Sequence, residues 1–197
     1  VSEERKPTTQ APPLLYDLTT LQREANGRFG FSAKRTLQLA QALYERHKVL
    51  TYPRTDSRYL PSDNLPIAKK VLAGMDDSSL APHARKALAN DWVKPTPRIF
   101  NNAKVSDHHA IIPTGASPDK LDEYEMKLYD LVARRFIAVF YPPAKFEVTK
   151  RITTIEGEKF KTDGKILREP GWLEVYGKLA ASQDDDSLVP VKEGENA

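Results

Sequence analysis

No cysteine occurs among the 197 residues. Disulfides, thiolate zinc sites and cysteine catalysis are thereby excluded. No window approaches the roughly 18 consecutive apolar residues of a membrane-spanning helix. The longest apolar run, Phe136 to Tyr141, is six residues and belongs to an amphipathic pattern. The opening VSEERKPTTQAPP is charged and proline-rich, unlike a secretory leader. With no targeting segment in view, a cytoplasmic location and no membrane association are expected. A start at Val1 without methionine reads as an excised piece. There are no internal repeats.

What is present fits a soluble globular chain, with 40% hydrophobic and 29% charged residues. The length allows one large or two small domains. Net charge is only +3, but it is unevenly placed. Between Thr20 and Leu60 there are eight basic residues (Arg23, Arg28, Lys34, Arg35, Arg46, Lys48, Arg54, Arg58) against three acidic (Glu24, Glu45, Asp56). From Glu156 onward the balance reverses, with ten acidic against six basic. A basic first third suggests an anionic partner; the alternative is a set of solvated helix faces.

Residues 1–16 read as extended, because Pro7, Pro12 and Pro13 exclude helix interior. Asp17 is placed to cap a helix carrying Leu18, Leu21, Ala25 and Phe29, with Gly27 and Gly30 ending it. Ser32 caps a second helix whose apolar stripe is Leu37, Ala40, Leu43, Tyr44 and His47. Val49 to Tyr52 is β-leaning. Ser62 or Asp63 caps a third helix, and a fourth runs near Ser79 to Ala89. A long irregular stretch, NDWVKPTPRIFNNAKVSDHHAIIPTG, holds aromatics and paired histidines, which favours an ordered functional loop. Asp122 and Glu125 form a capping box for the strongest helix, whose buried stripe is Leu128, Leu131, Val132, Phe136, Val139 and Phe140. Pro142-Pro143 ends it. A period-two pattern follows at Phe146, Val148 and Ile152, with turns at Glu156-Gly157 and Asp163-Gly164 and strand-like pieces to Tyr176. The tail AASQDDDSLVPVKEGENA reads as loop.

The run LTYPRTDS, Leu50 to Ser57, carries the chemistry. A phenol ordinarily loses its proton near pH 10, so it attacks poorly unless its oxyanion is stabilised. Pro53 biases Tyr52 towards extended backbone. On such a backbone positions 52 and 54 share a side, and Arg54 can then place a guanidinium fork on a phosphate beside the phenol. Thr55 and Ser57 add neutral donors. A tyrosine before a proline, read by itself, is a packed ring. Lys34 and Arg35, like Gln22 and Arg23, offer phosphate contacts or merely a wet helix face. Trp92 and Phe100 offer base stacking, with core packing the preferred reading. His108, taken without further context, is a loop histidine satisfied by a neighbouring carbonyl.

LTYPRTDS resembles the active-site segment of type IA DNA topoisomerases: an apolar pair, Thr, the reacting Tyr, one variable residue, then Arg-Thr-Asp-Ser. Proline at the variable position looks like the topoisomerase III branch. LYDLTTLQREANGRFGFSAKRTLQLAQALYE is similar to the two helices that precede that tyrosine, and DHHAIIPTG looks like the family's His-x-Ala-Ile-x-Pro motif. Weaker likenesses are GW to VY, Gly171 to Tyr176, and LVPVKEG. The resemblance implies that Tyr52 attacks single-stranded DNA to form a 5′-phosphotyrosine without ATP. It implies that Arg54 holds the scissile phosphate and that His108 donates a hydrogen bond nearby. His109, at a variable motif position, is a further candidate DNA contact, as are Thr55, Ser57, Lys34 and Arg35; Asp56 is expected to orient Arg54 or, alternatively, to cap the turn into the next segment.

The same resemblance implies a fold that is mainly α with a β-rich segment. Residues 1–14 would be an extended piece of an arch domain, 15–141 the helical tyrosine-bearing domain, and 142–197 a β-rich arch segment. The ends are expected to be poorly tied down. Magnesium would be held by a Toprim domain not found in this sequence; Asp184 to Asp186, with no strand leading in, read as a solvated loop. The expected partners are single-stranded DNA and the remaining domains of a bacterial, nucleoid-associated parent enzyme, with this stretch inactive alone. Two other readings stay open: a non-catalytic DNA-binding module, and a purely structural helical domain with a packed Tyr52.

Overall fold

The computed structural model describes residues 1–75, 79–177 and 188. The fold is mixed: a helical region and a three-stranded antiparallel sheet, divided into two compact units. The larger unit is Pro13–Tyr141; the smaller joins Val1–Pro12 to the chain from Pro142 onward. Asp184 to Asp186 and the LVPVKEG stretch lie outside the described residues, apart from Leu188. No helix among the described residues is long and apolar enough to cross a membrane.

In the larger unit, α1 (Leu18–Phe29) starts at Asp17, whose carboxylate accepts from the Thr20 amide at 2.7 Å, and Thr20 answers from its own hydroxyl. Gly30, at φ +69°, ends it in the left-handed conformation that glycine adopts freely. Gly27, expected at the end, lies inside the helix. Ser32 caps α2 (Ala33–Glu45). The buried stripe of α2 is Thr36, Leu39, Ala40 and Leu43. It is therefore rotated from the expected one: Leu37, Tyr44 and His47 are only half-buried. Ser62 and Asp63 do not cap α3 (Leu65–Ala73); they form a 3-10 turn ahead of it. α4 is Ala81–Ala89, two residues shorter at its start than its pattern suggests.

The capping box of α5 (Glu123–Ala138) forms as its sequence predicts. The helix is more buried than one stripe requires, since Ala133, Arg135, Ile137 and Ala138 are covered as well. Arg135 is tolerated because it is neutralised. It pairs with Glu24 of α1, donates to the Leu14 carbonyl at 2.9 Å, and lies 4.1 Å from the Tyr16 ring centre.

Glu125 is 3% exposed and pairs with Arg46 and His47 at the end of α2. Burial alone would raise its carboxyl; the Asp122 backbone N–H, His47 and Arg46 outweigh burial and hold it below its ordinary value of 4.5. A carboxyl lowered on folding stabilises the fold above its unfolded value, and that contribution fades as pH falls through 4.5 and below. Glu125→Gln is therefore expected to cost about 1–3 kcal/mol at pH 7. Thermal melts of the two proteins should converge on acidification, and a gap that stayed constant from pH 7 to pH 3 would rule this out.

In the smaller unit, β1 (Ser2–Gln10) pairs with β2 (Ala144–Ile155), and β2 pairs with β3 (Glu158–Glu169), all antiparallel. β1 runs in register from Ser2 opposite Ile152 to Gln10 opposite Ala144, so the start of the chain is tied down, contrary to expectation. Glu156 and Gly157 turn the β2–β3 hairpin with φ of +51° and +87°. The expected turn at Asp163-Gly164 is absent; β3 runs straight through, with Gly164 opposite Thr149. The expected strand at the end is instead a 3-10 helix, Gly171–Tyr176. Gly171, at φ +51°, is required there: a Cβ would meet the Pro143 carbonyl oxygen at 2.4 Å.

Candidate active site

Tyr52 follows a tight exit from α2. Lys48 takes φ +56°, and the Val49 amide donates back to the Leu43 carbonyl at 2.9 Å. The chain then runs beside the 108–114 loop. Thr51 fixes the register: its amide donates to the Ile112 carbonyl at 3.0 Å, its hydroxyl to the Ala110 carbonyl at 3.2 Å, and it accepts from the Ile112 amide at 2.9 Å. Leu50 bridges Pro113 on one side of this crossing. On the other, Ile111 donates to the Tyr16 carbonyl, and Leu18 at the head of α1 donates to the Thr55 carbonyl.

This register brings Tyr52 against His108. Their ring centres are 4.1 Å apart with planes inclined at 33°. Tyr44 meets Tyr52 from another direction, at 5.4 Å and 83°. Tyr52 is half-buried and His108 exposed. The Tyr52 hydroxyl makes no hydrogen bond to another described residue. A phenol held by its ring, with its oxygen uncommitted, is geometrically available for attack.

Other candidates fall differently. The backbone bends at Pro53 and Arg54, so the extended, same-side placement of Tyr52 and Arg54 does not hold. Arg54 is exposed and lines a groove of about 490 Å³ with Lys34, Leu37, Gln38 and Arg46, whereas Tyr52 lines a neighbouring one. Asp56 does not hold Arg54; it accepts from the Ser106 hydroxyl at 3.4 Å. Thr55 and Ser57 are 7% and 4% exposed. Thr55 donates to the His108 carbonyl at 3.1 Å and Ser57 to the Lys104 carbonyl at 2.8 Å. Both therefore fix the loops around the site and do not present donors to a ligand. Thr55 holds the backbone of His108 in place, a positioning role the sequence did not suggest.

His109 is half-buried, its Nδ1 donating to the Ala110 carbonyl at 2.7 Å. Arg35 is exposed with its guanidinium 5.1 Å from the Tyr124 ring centre. Gln22 donates to the Ala33 carbonyl, joining α1 to the start of α2, and Arg23 is exposed. Phe100 is buried in the core, and Trp92, half-buried, packs on Tyr141 at 4.8 Å. Tyr44 and Lys48 border the site and were not read as site residues; Tyr44 was hidden in an apolar stripe. Among the described residues no group of three or more acidic or histidine side chains could hold a metal ion.

The whole chain, residues 1–197, matches the DNA topoisomerase family model. DNA topoisomerase 3 of Bacillus licheniformis is 51% identical over 176 residues, covering 88% of this chain and 24% of that protein. DNA topoisomerase 3 of Bacillus cereus is 44% identical over 199 residues, covering 98% of this chain and 26% of that protein. Among solved structures, full-length topoisomerase I from Thermotoga maritima superposes with a TM-score of 0.68 at 25% identity, over 98% of this chain and 31% of that one. The chain spans about a quarter of the length of these curated relatives. It belongs to the type IA DNA topoisomerases and is topoisomerase III-like.

Proposed function

We propose that Tyr52 is the nucleophile of a single-strand DNA cleavage and rejoining reaction carried out by a longer, cytoplasmic bacterial protein. The observation that carries this reading is the Tyr52–His108 pair: a ring stacked at 4.1 Å on an exposed imidazole, with its hydroxyl uncommitted. The phenol oxygen attacks the phosphorus of one phosphodiester. The bond to the 3′ oxygen breaks, a 5′-phosphotyrosine forms, and the departing 3′ oxygen takes up a proton as the phenol gives one up to a base. Reversal of the same step reseals the strand. One phosphate ester replaces another, so no nucleotide triphosphate is required.

Arg54 and Lys34, on the adjoining groove, draw the strand's phosphates towards the site, and Arg54 stabilises the negative charge that grows in the transition state. His108 donates a hydrogen bond to the scissile or the adjacent phosphate. Acidic groups for proton transfer and magnesium binding come from other parts of the parent protein, and strand passage belongs to that whole protein.

The test is denaturant trapping of the full-length protein on end-labelled single-stranded DNA, followed by peptide mapping of the adduct. The phosphonucleotide is expected on the peptide that contains Tyr52. An adduct mapped to any other residue overturns the assignment. Salt-sensitive binding with no adduct under any condition would instead favour a non-catalytic DNA-binding module.

A further inference from the structure

We propose that the groove walled by Tyr44 and Lys48 beside Tyr52 holds one nucleotide of the single strand, its base stacked on Tyr44 and its phosphate on Lys48. This subsite rests on the reading of Tyr52 as the nucleophile and extends it to the strand on the side away from the Arg54 groove. The groove has a volume of about 540 Å³, within the roughly 300–1,000 Å³ of small-molecule clefts. Tyr44, Glu45, Lys48, Thr51, Tyr52 and Thr114 line it.

Three observations point to a nucleotide. First, the rings are not mutually satisfied. His108 lies over Tyr52 with planes inclined at 33°, whereas Tyr44 meets Tyr52 nearly perpendicularly, at 83°. An edge-to-face pair uses at most one face of Tyr44, and this half-buried ring lines the open groove, where a base can stack on it. Second, the wall's hydroxyls are already engaged. Thr51 serves the 110–112 backbone, and Thr114 donates to the Lys48 carbonyl at 2.6 Å. The Lys48 ammonium reaches only the Glu45 carbonyl, at 3.2 Å, with no carboxylate partner among the described residues. Its charge remains for an anion.

Third, Lys48 occupies a left-handed conformation, φ +56°, which glycine adopts without cost and other side chains seldom do. Backbone strain of this kind gathers at functional sites, and here it lies four residues from Tyr52. Glu45 lines both grooves, its carboxylate accepting from the Gln41 amide at 2.8 Å. Its negative charge repels phosphates from the shared rim and leaves Lys48 on one side, and Lys34 and Arg54 on the other, as the places where phosphates settle. Tyr52 lies beside this divide, where the phosphate between two such nucleotides would pass.

The experiment uses the full-length protein and a fluorescent single-stranded oligonucleotide in metal-free buffer, with anisotropy as the readout. Lys48→Gln is expected to reduce the slope of log affinity against log salt by about 0.7, the share of one phosphate on a single strand. Tyr44→Leu is expected to weaken binding roughly 5- to 150-fold, the loss that one stacked base carries. Tyr44→Phe, which keeps the ring, should leave binding unchanged. An abasic site moved along the oligonucleotide should cost as much at one position in the wild type and nothing further there in Tyr44→Leu. An unchanged salt slope in Lys48→Gln, or equal abasic losses in wild type and Tyr44→Leu at every position, overturns the subsite. If Tyr44→Leu fails to fold, the Lys48→Gln slope decides alone. Trapping the adduct in the same proteins separates the two readings. An adduct with binding indifferent to both residues removes this subsite only. Binding that depends on them with no wild-type adduct removes the catalytic reading and leaves a nucleic-acid groove.

Discussion

Replacing Tyr52 by phenylalanine in the full-length protein is expected to eliminate the covalent DNA adduct and leave stability within about 0.5 kcal/mol of wild type. The two halves of that result come from different atoms of one side chain. Packing resides in the ring, which touches His108 and Tyr44 and is preserved in phenylalanine. The oxygen makes no hydrogen bond to another described residue, so its removal leaves no buried partner stranded. Tyr141 is the contrasting case: its hydroxyl donates to the His83 carbonyl at 2.9 Å, so its removal would strand a partner. Circular-dichroism melts beside the trapping assay settle the matter. A persisting adduct, or a stability loss of about 2 kcal/mol or more, would return Tyr52 to the core.

Arg135→Ala is expected to be the most costly single change at a charged position, about 3 kcal/mol in urea unfolding. Removing one member of a buried ion pair costs roughly 3–5 kcal/mol, because the remaining charge stays out of water. Arg135 is 8% exposed at its side chain, and three dissimilar groups depend on it: the Glu24 carboxylate, the Leu14 carbonyl and the face of Tyr16. The lower end of the range applies because Glu24 is 22% exposed and retains Arg28. Adding Glu24→Gln to Arg135→Met should recover part of the loss, since no carboxylate is then left short of a cation. A loss under about 1 kcal/mol in Arg135→Ala would show that the triad is hydrated and weak.

Local chemistry was legible and long-range geometry was not. Asp17, Ser32 and Asp122 announce their helices because a cap is read within four residues, and the capping partners indeed sit three positions on. LTYPRTDS and DHHAIIPTG brought Tyr52 and His108 to notice, and the structure stacks the two rings. The direction in which Arg54 leaves the chain depends on a bend at Pro53 that no spacing rule contains. Thr55 and Ser57 looked like ligand donors because hydroxyls beside an arginine often are. Only the fold reveals that carbonyls 53 and 47 residues further on already hold them. Asp163-Gly164 read as a turn because the dipeptide favours one; pairing with β2 overrode it. The Arg135–Glu24 pair spans 111 residues, and nothing local marks either partner.

The crossing of Thr51 with Ala110 and Ile112 joins positions about 60 residues apart. The helices on either side can form from neighbours, but this junction must wait for a long loop to close, and non-local closure is the slow part of folding. Tyr52 and His108 are therefore strangers until the last stages of assembly. A nascent or partly unfolded chain carries both residues and no site. On the proposed reading of Tyr52, reactivity arrives together with the finished architecture that controls it.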